Sequence, residues 1–140
     1  MRLLSVRQPW AFALAHGLKP VENRTRRICG DYRGPVAIQA STAGVDPVGV
    51  RALFDLTPLR SVPISHGVIL AVADLVDAHH ADDCERPGGW CTDWSDPESW
   101  HLVFEDARPL KVPVPFKGAQ GMRKLTPAEE QLIRGGGDDV

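Results

Sequence analysis

Residues 17–27, GLKPVENRTRR, place Lys19, Glu22, Arg24 and Arg26 together directly after the mostly apolar run WAFALAH. On an extended strand, residues two apart share a face, so Glu22, Arg24 and Arg26 would project together with Lys19 just before them. A carboxylate between such cations stays ionised, which suits an acceptor for a base amino group more than a general acid. The lysine and arginines supply charge and N–H donors for phosphate or a base carbonyl. Trp10, with Trp90 or Trp94 further along, could stack a splayed-out base, a contact worth about 1–3 kcal/mol per base. Lys117 and Gln120, in the glycine-containing KGAQG, are candidates for the opposite wall. If the cluster is catalytic, Lys19 would activate water or polarise the scissile group and Glu22 would handle protons. The same residues also read as scaffolding: Lys19, Glu22 and Arg24 as a salt-bridge set that orders a strand, Trp10 as core and KGAQG as a plain turn.

Other constellations carry less. His79, His80, Cys84 and Cys91 are four potential zinc donors, but their spacing is not that of two ligand knuckles, and adjacent histidines rarely serve one metal. No metal and no cofactor is assigned on that basis. Gly-x-Ser-x-Gly, phosphate-loop and dinucleotide fingerprints are absent from the sequence.

The elements that must position the cluster follow from local signals. Pro9 suits the first helical turn, WAFALAH continues the helix, and Gly17 ends it, so Lys19 falls just beyond a helix C-terminus. VENRTRR reads as a strand, and GPVAIQAS as a half-buried strand with Val36, Ile38 and Ala40 on one face. In DPVGVRALFDL, Asp46 caps a helix with Pro47 at its first position. HGVILAVADLVDA is a long apolar strand for the centre of a sheet. Residues 79–99 lose periodicity and read as a long loop. WHLVFEDARPL and KVPVPFKG return to strand patterning, and Thr126, Pro127 and Glu129 form a capping box for a last helix. Helices are too few for a doubly wound sheet, so the pattern predicts an α+β domain on a small, partly closed β-barrel with flanking helices. It spans residues 1–134, with a disordered tail at 135–140.

A chain of 140 residues is the size of one domain, and 43% hydrophobic with 24% charged residues places it among globular chains. MRLLSVRQPWAFALAHG lacks the continuous apolar core of a signal peptide and no stretch reaches membrane-spanning length, so the expectation is a cytoplasmic protein without membrane partners. Cys29, Cys84 and Cys91 form no even disulfide framework. The net charge of −2 hides segregation: residues 74–106 carry ten acids and one base, whereas 107–125 carry Arg108, Lys111, Lys117, Arg123 and Lys124 with no acid. If 19–33 and 107–125 meet in space they form one positive surface able to bind phosphates; if not, they are separate solvated faces.

LSVRQPWAFALAHGLKPVENRTRR followed by YRGPVAIQAS resembles the ASCH (activating signal cointegrator homology) family, whose signature is Gly-x-Lys-x-x-Glu-x-Arg after a Gln-Pro-Trp-Ala helix. Here the signature residues are Gly17, Lys19, Glu22 and Arg24. PVPFKGAQGMRKL resembles the family's closing stretch, so the similarity runs from about residue 3 to about residue 126. The resemblance implies a PUA-like β-barrel with flanking helices, binding of RNA or other nucleic acid in a cleft beside the barrel, and hydrolase activity in some bacterial members. In small relatives described as N4-acetylcytidine amidohydrolases, the motif lysine works with a threonine three residues later and a distant glutamate. Here Glu22 stands at the threonine position, Thr25 would face away on a strand, and Asp82, Asp83 and Glu85 compete for the distant acid. The expectation is a nucleic-acid-binding module for single-stranded or modified RNA. The alternative is a hydrolase on RNA or a modified nucleoside, ribonuclease or amidohydrolase-like, using Lys19 and Glu22. A protein-interaction adaptor using the acidic, Trp-rich loop comes third.

Overall fold

The computed structural model describes residues 1–56, 64–84 and 91–138. Trp90 and Glu85, both weighed above, lie outside them. Six strands form one mixed sheet: β1 (Arg2–Val6), β2 (Val21–Arg24), β3 (Gly34–Ala40), β4 (Val68–His80), β5 (Trp100–Pro115) and β6 (Met122–Lys124). Their order is β2-β5-β4-β3-β1-β6, with β1 parallel to β3 and every other pair antiparallel. The register of β4 on β5 shifts at three places and that of β3 on β4 at one. Each irregularity bends the strands and increases their twist, which curls the sheet into a half-barrel. With three helices, α1 (Trp10–Ala15), α2 (Pro47–Leu56) and α3 (Pro127–Asp138), the α+β architecture is the PUA-like one expected.

Apolar side chains cover both faces of the sheet. Leu4, Val36, Ile38, Leu75, Leu102 and Phe104 pack with Ala11 and Leu14 of α1. On the other face Leu3, Ala37, Ile69 and Val72 pack with Ile133 of α3. This explains why Val36–Ala40 is buried without interruption although a half-buried strand was expected. Val36, Ile38 and Ala40 do share one face, but on the other face Ala37 meets a second core and Gln39 lies under the Phe116 carbonyl.

Local chemistry sets the helix ends. Pro9 immediately precedes α1, one place before the position read from sequence. The start is capped instead by Gln8: its buried Oε1 accepts from the Phe12 N–H at 3.0 Å while its Nε2 donates to the Ser65 carbonyl at 3.0 Å. At the other end Gly17, with φ +69°, closes a Schellman turn, its N–H donating to Leu14 and that of Leu18 to Ala13 at 2.9 Å. Asp46 caps α2 as expected, accepting from the Val48 N–H. The capping box of α3 is reciprocal, Glu129 N–H to Thr126 Oγ1 and Thr126 N–H to Glu129 Oε1. α3 takes in residues 135–138 of the expected tail, and residues 139 and 140 lie outside the described ones. The two strand segments expected at 100–118 are one strand, β5, and β4 extends into the expected loop to include His79 and His80. Among the described residues no helix is long and apolar enough to cross a membrane.

Candidate functional site

The Schellman turn drops Lys19 beside the first residues of β2, and burial there forces its ammonium to find a carboxylate. Lys19 and Glu22 are 4% and 6% exposed, and Lys19 Nζ lies 3.4 Å from Glu22 Oε1. Arg24 closes on the other oxygen, Nε at 3.1 Å and Nη2 at 2.9 Å from Glu22 Oε2, so a single carboxylate holds both cations. Arg24 Nη2 also donates to the Ser5 carbonyl of β1 at 2.8 Å. Strand β2 is one end of the sheet and β1 lies near the other, so this guanidinium spans the open side of the half-barrel.

Trp10 is held by three neighbours. Lys19 Nζ sits 4.7 Å from its ring centroid, its Nε1 donates to Asp46 Oδ2 at 3.2 Å, and Trp94 meets it edge-on at 5.8 Å. The segment carrying Trp94 is tied to β2 through Asn23, whose Nδ2 donates to the Trp94 carbonyl and whose Oδ1 accepts from the Asp96 N–H.

Three cavities adjoin these residues. One of about 410 Å³ is walled by Trp10, Trp94, Lys19 and Glu22, with Asp46, Asp93 and Asp96 around it. A second, about 470 Å³, shares Trp10 and Glu22 and adds Arg7, Arg24 and Gln120. A third, about 630 Å³, shares Gln120 with the second and is lined by Lys117, Gly118 and Gln39. Shared walls make one groove with opposite characters: carboxylates gather at the Trp94 end, and Arg7, Arg24 and Lys117 supply the positive charge along the rest.

The groove brings together six of the seven residues expected in the site: Trp10, Lys19, Glu22, Arg24, Lys117 and Gln120. Arg26 is the exception. Strand β2 stops at Arg24, the chain turns, and Arg26 is an exposed residue lining none of the three cavities. Sequence alternation missed this because it assumed a strand continuing to Arg27. The basic segments also form less of a positive face than their count suggests, since Arg27 pairs with Asp31, Arg108 with Asp74 and Asp106, and Arg123 with Glu129.

Other groove residues carried no sequence signal. Gln39, 1% exposed, donates from Nε2 to the Phe116 carbonyl at 2.9 Å, while its buried Oε1 has no hydrogen-bond partner and borders the third cavity. Ser5 Oγ accepts from the Ala119 N–H at 3.0 Å and lines the same wall. Both lie in otherwise mostly apolar strands, where a single polar residue gives no local sign of a site. The donors of the 79–99 region separate: His80 turns to Asp82 and Trp100, whereas His79, Cys84 and Cys91 converge with His101.

No protein-family model matches the sequence, and no curated protein matches it as a relative. Solved structures do match. The ASCH structure from Zymomonas mobilis superposes with a TM-score of 0.61 at 17% identity, covering 95% of this chain and 92% of that one. The chain has the ASCH fold. A Tyr-to-Phe variant of the same Zymomonas mobilis protein gives a TM-score of 0.59 at 18% identity over 93% of each chain. A Ser-to-Ala variant gives 0.56 at 17%, covering 93% of this chain and 91% of that one. At such identity the ASCH likeness describes the path of the backbone, and the chemistry rests on the side chains above.

Proposed function

We propose that the protein binds single-stranded or modified RNA in this groove, reading a base at the Trp94 end and phosphates toward Lys117. The observation that carries the reading is the placement of Glu22: a buried carboxylate, held by Lys19 and Arg24, that walls two adjoining cavities at once. Arg24 occupies Oε2, and Oε1, with Lys19 Nζ at 3.4 Å, keeps acceptor capacity for a base amino group. Lys19 keeps ammonium hydrogens for a base carbonyl. Phosphates are repelled from the end lined by Asp46, Asp93 and Asp96 and attracted to the side lined by Arg7, Arg24 and Lys117, which would turn the base toward Trp94 and the backbone away from it. The corner made by Trp10 and Trp94 supplies aromatic surface beside the base.

A hydrolase reading keeps one specific support: Lys19 is a buried amine facing a cavity next to a carboxylate, the pairing that acyl or phosphoryl hydrolysis would use. One set of incubations separates the two. Labelled single-stranded RNA and N4-acetylcytidine are presented to the parent chain and to Lys19→Ala, Glu22→Gln, Lys117→Ala and Lys111→Ala chains. The binding reading expects salt-sensitive RNA affinity without turnover. It also expects a salt dependence shallower by about one charge in Lys117→Ala and unchanged in Lys111→Ala, a lysine outside the groove. Turnover lost in both Lys19→Ala and Glu22→Gln would replace it with the hydrolase, no RNA affinity at low salt would refute the binding reading, and no turnover of either substrate would refute the hydrolase.

A further inference from the structure

The β4–β5 ladder places His79 directly opposite His101, and this register is what the spacing along the sequence conceals. Beyond His79 the chain makes a short 3₁₀ turn, Ala81–Asp83, that delivers Cys84, and Cys91 lies beside it. His79 Nε2 lies 2.6 Å from Cys91 Sγ, His101 Nδ1 lies 3.1 Å from it, and Cys84 Sγ lies 3.2 Å from it. All four donor atoms fall within 4.8 Å of one another. The sulfur–sulfur distance is well beyond a disulfide bond of about 2.05 Å.

We infer that His79, Cys84, Cys91 and His101 form a four-coordinate zinc site that clamps the segment carrying Trp94 to the groove. The outer hydrogen bonds decide between a metal site and a chance gathering of polar side chains. His79 uses Nδ1 on Asp77 Oδ2 at 2.7 Å, which leaves Nε2 directed at the sulfur. His101, fully buried, donates from Nε2 to the Asp96 carbonyl at 2.6 Å, which leaves Nδ1 directed at the same sulfur. Both imidazoles therefore have their proton fixed on the outer nitrogen by an oxygen acceptor, the arrangement that metal-bound histidines adopt. Their two lone pairs then converge on Cys91 Sγ with Cys84 Sγ beside it, two nitrogens and two sulfurs turned toward one point. A cation among them accepts both lone pairs and both thiolates.

The donor set selects the ion. Two thiolates and two imidazoles in tetrahedral array suit Zn²⁺, at about 2.3 Å from sulfur and 2.0–2.1 Å from nitrogen. Those lengths require donor separations of about 3.3–3.8 Å, reached by sub-ångström side-chain movements from the distances seen. Two thiolates balance the dication, so a part-buried site carries no net charge. Four protein ligands leave no open position for substrate, which makes the role structural. Its mechanical path is short: His101 holds Asp96, Asp96 and Trp94 are bonded to Asn23, and Asn23 precedes Arg24 in β2. The objection from adjacent histidines lapses because His80 is not a member of the set.

The test is metal analysis of the full chain purified under reducing conditions, followed by cobalt substitution. The expected result is one zinc per chain, and a cobalt form with thiolate-to-metal charge transfer and the intense ligand-field bands of a tetrahedral centre. Cys84→Ser and His101→Gln should lose stoichiometric metal; His80→Ala and Cys29→Ser should retain it. Should a ligand variant fail to fold, the parent chain still decides: chelation should open Cys84 and Cys91 to alkylation and lower the unfolding temperature, and zinc should reverse both. Failure to retain zinc or cobalt through gel filtration, or a cobalt spectrum that survives Cys84→Ser, would each overturn the site.

Discussion

Replacing Glu22 with Gln keeps the shape of the side chain and removes the charge that Lys19 and Arg24 share. The side chains of Lys19 and Glu22 are 5% and 8% exposed, against 27% for Arg24, so the ammonium suffers most. Removing one partner of a fully buried pair costs about 3–5 kcal/mol. Here the remaining charges have partial alternatives, Arg24 at the Ser5 carbonyl and Lys19 over the Trp10 ring, and the adjoining cavities admit water. The lower end of that range, about 3 kcal/mol, is therefore expected. For a chain of this length it lowers the unfolding temperature by about 9–15 °C. Urea unfolding with an unchanged m-value is the assay, run beside Asp31→Asn, a control whose carboxylate is 97% exposed in its pair with Arg27. That control should stay within about 1 kcal/mol of the parent. Lys19→Met added to Glu22→Gln should recover part of the loss, because the stranded ammonium goes with it. A Glu22→Gln chain no less stable than Asp31→Asn, or a double variant no better than the single one, would refute the account of Glu22 as the carboxylate on which both cations depend.

Two further outcomes follow from geometry away from Glu22. A Cβ added at Gly49 would lie 2.8 Å from Trp10 Cζ2 and 2.9 Å from Pro9 Cδ, so Gly49→Ala should destabilise the fold by about 1–3 kcal/mol and shift Trp10 against Lys19. Thermal unfolding and tryptophan emission check this, and an unshifted spectrum at parental stability would contradict it. Arg123, by a two-pronged hydrogen bond, and the Thr126 N–H hold the Glu129 carboxyl at about 2, below its ordinary 4.5. The folded value is depressed, so the stabilisation is fully present above about 4.5 and is lost as pH falls through about 2. Carboxyl NMR should show that midpoint in the parent and a return toward the ordinary value in Arg123→Gln; equal midpoints would contradict it.

Features decided within a few residues were legible in the sequence. Gly17 ends α1, Asp46 caps α2, and Thr126 with Glu129 starts α3, because each depends on one turn of backbone and its own side chains. Lys19, Glu22 and Arg24 could be grouped for the same reason. What depended on distant partners was not legible. Arg123 looked available for phosphate until the fold set it against Glu129, and Gln39 became a groove residue only when the segment after β5 crossed over it. His101 sits within an apolar strand and gained meaning from its register with His79, a pairing that no local window contains.

Strand β1 draws its two partners from opposite regions of the chain, β3 at Gly34–Ala40 and β6 at Met122–Lys124. During synthesis its parallel edge can be satisfied early, but the other edge must wait until Met122–Lys124 have emerged. Until then the nascent domain presents the unpaired edge of RLLSV, a five-residue strand and a template for pairing with a neighbouring chain. The three residues of β6 serve as a late seal, and a ribosome stalled before residue 122 would release a product prone to aggregate through that edge.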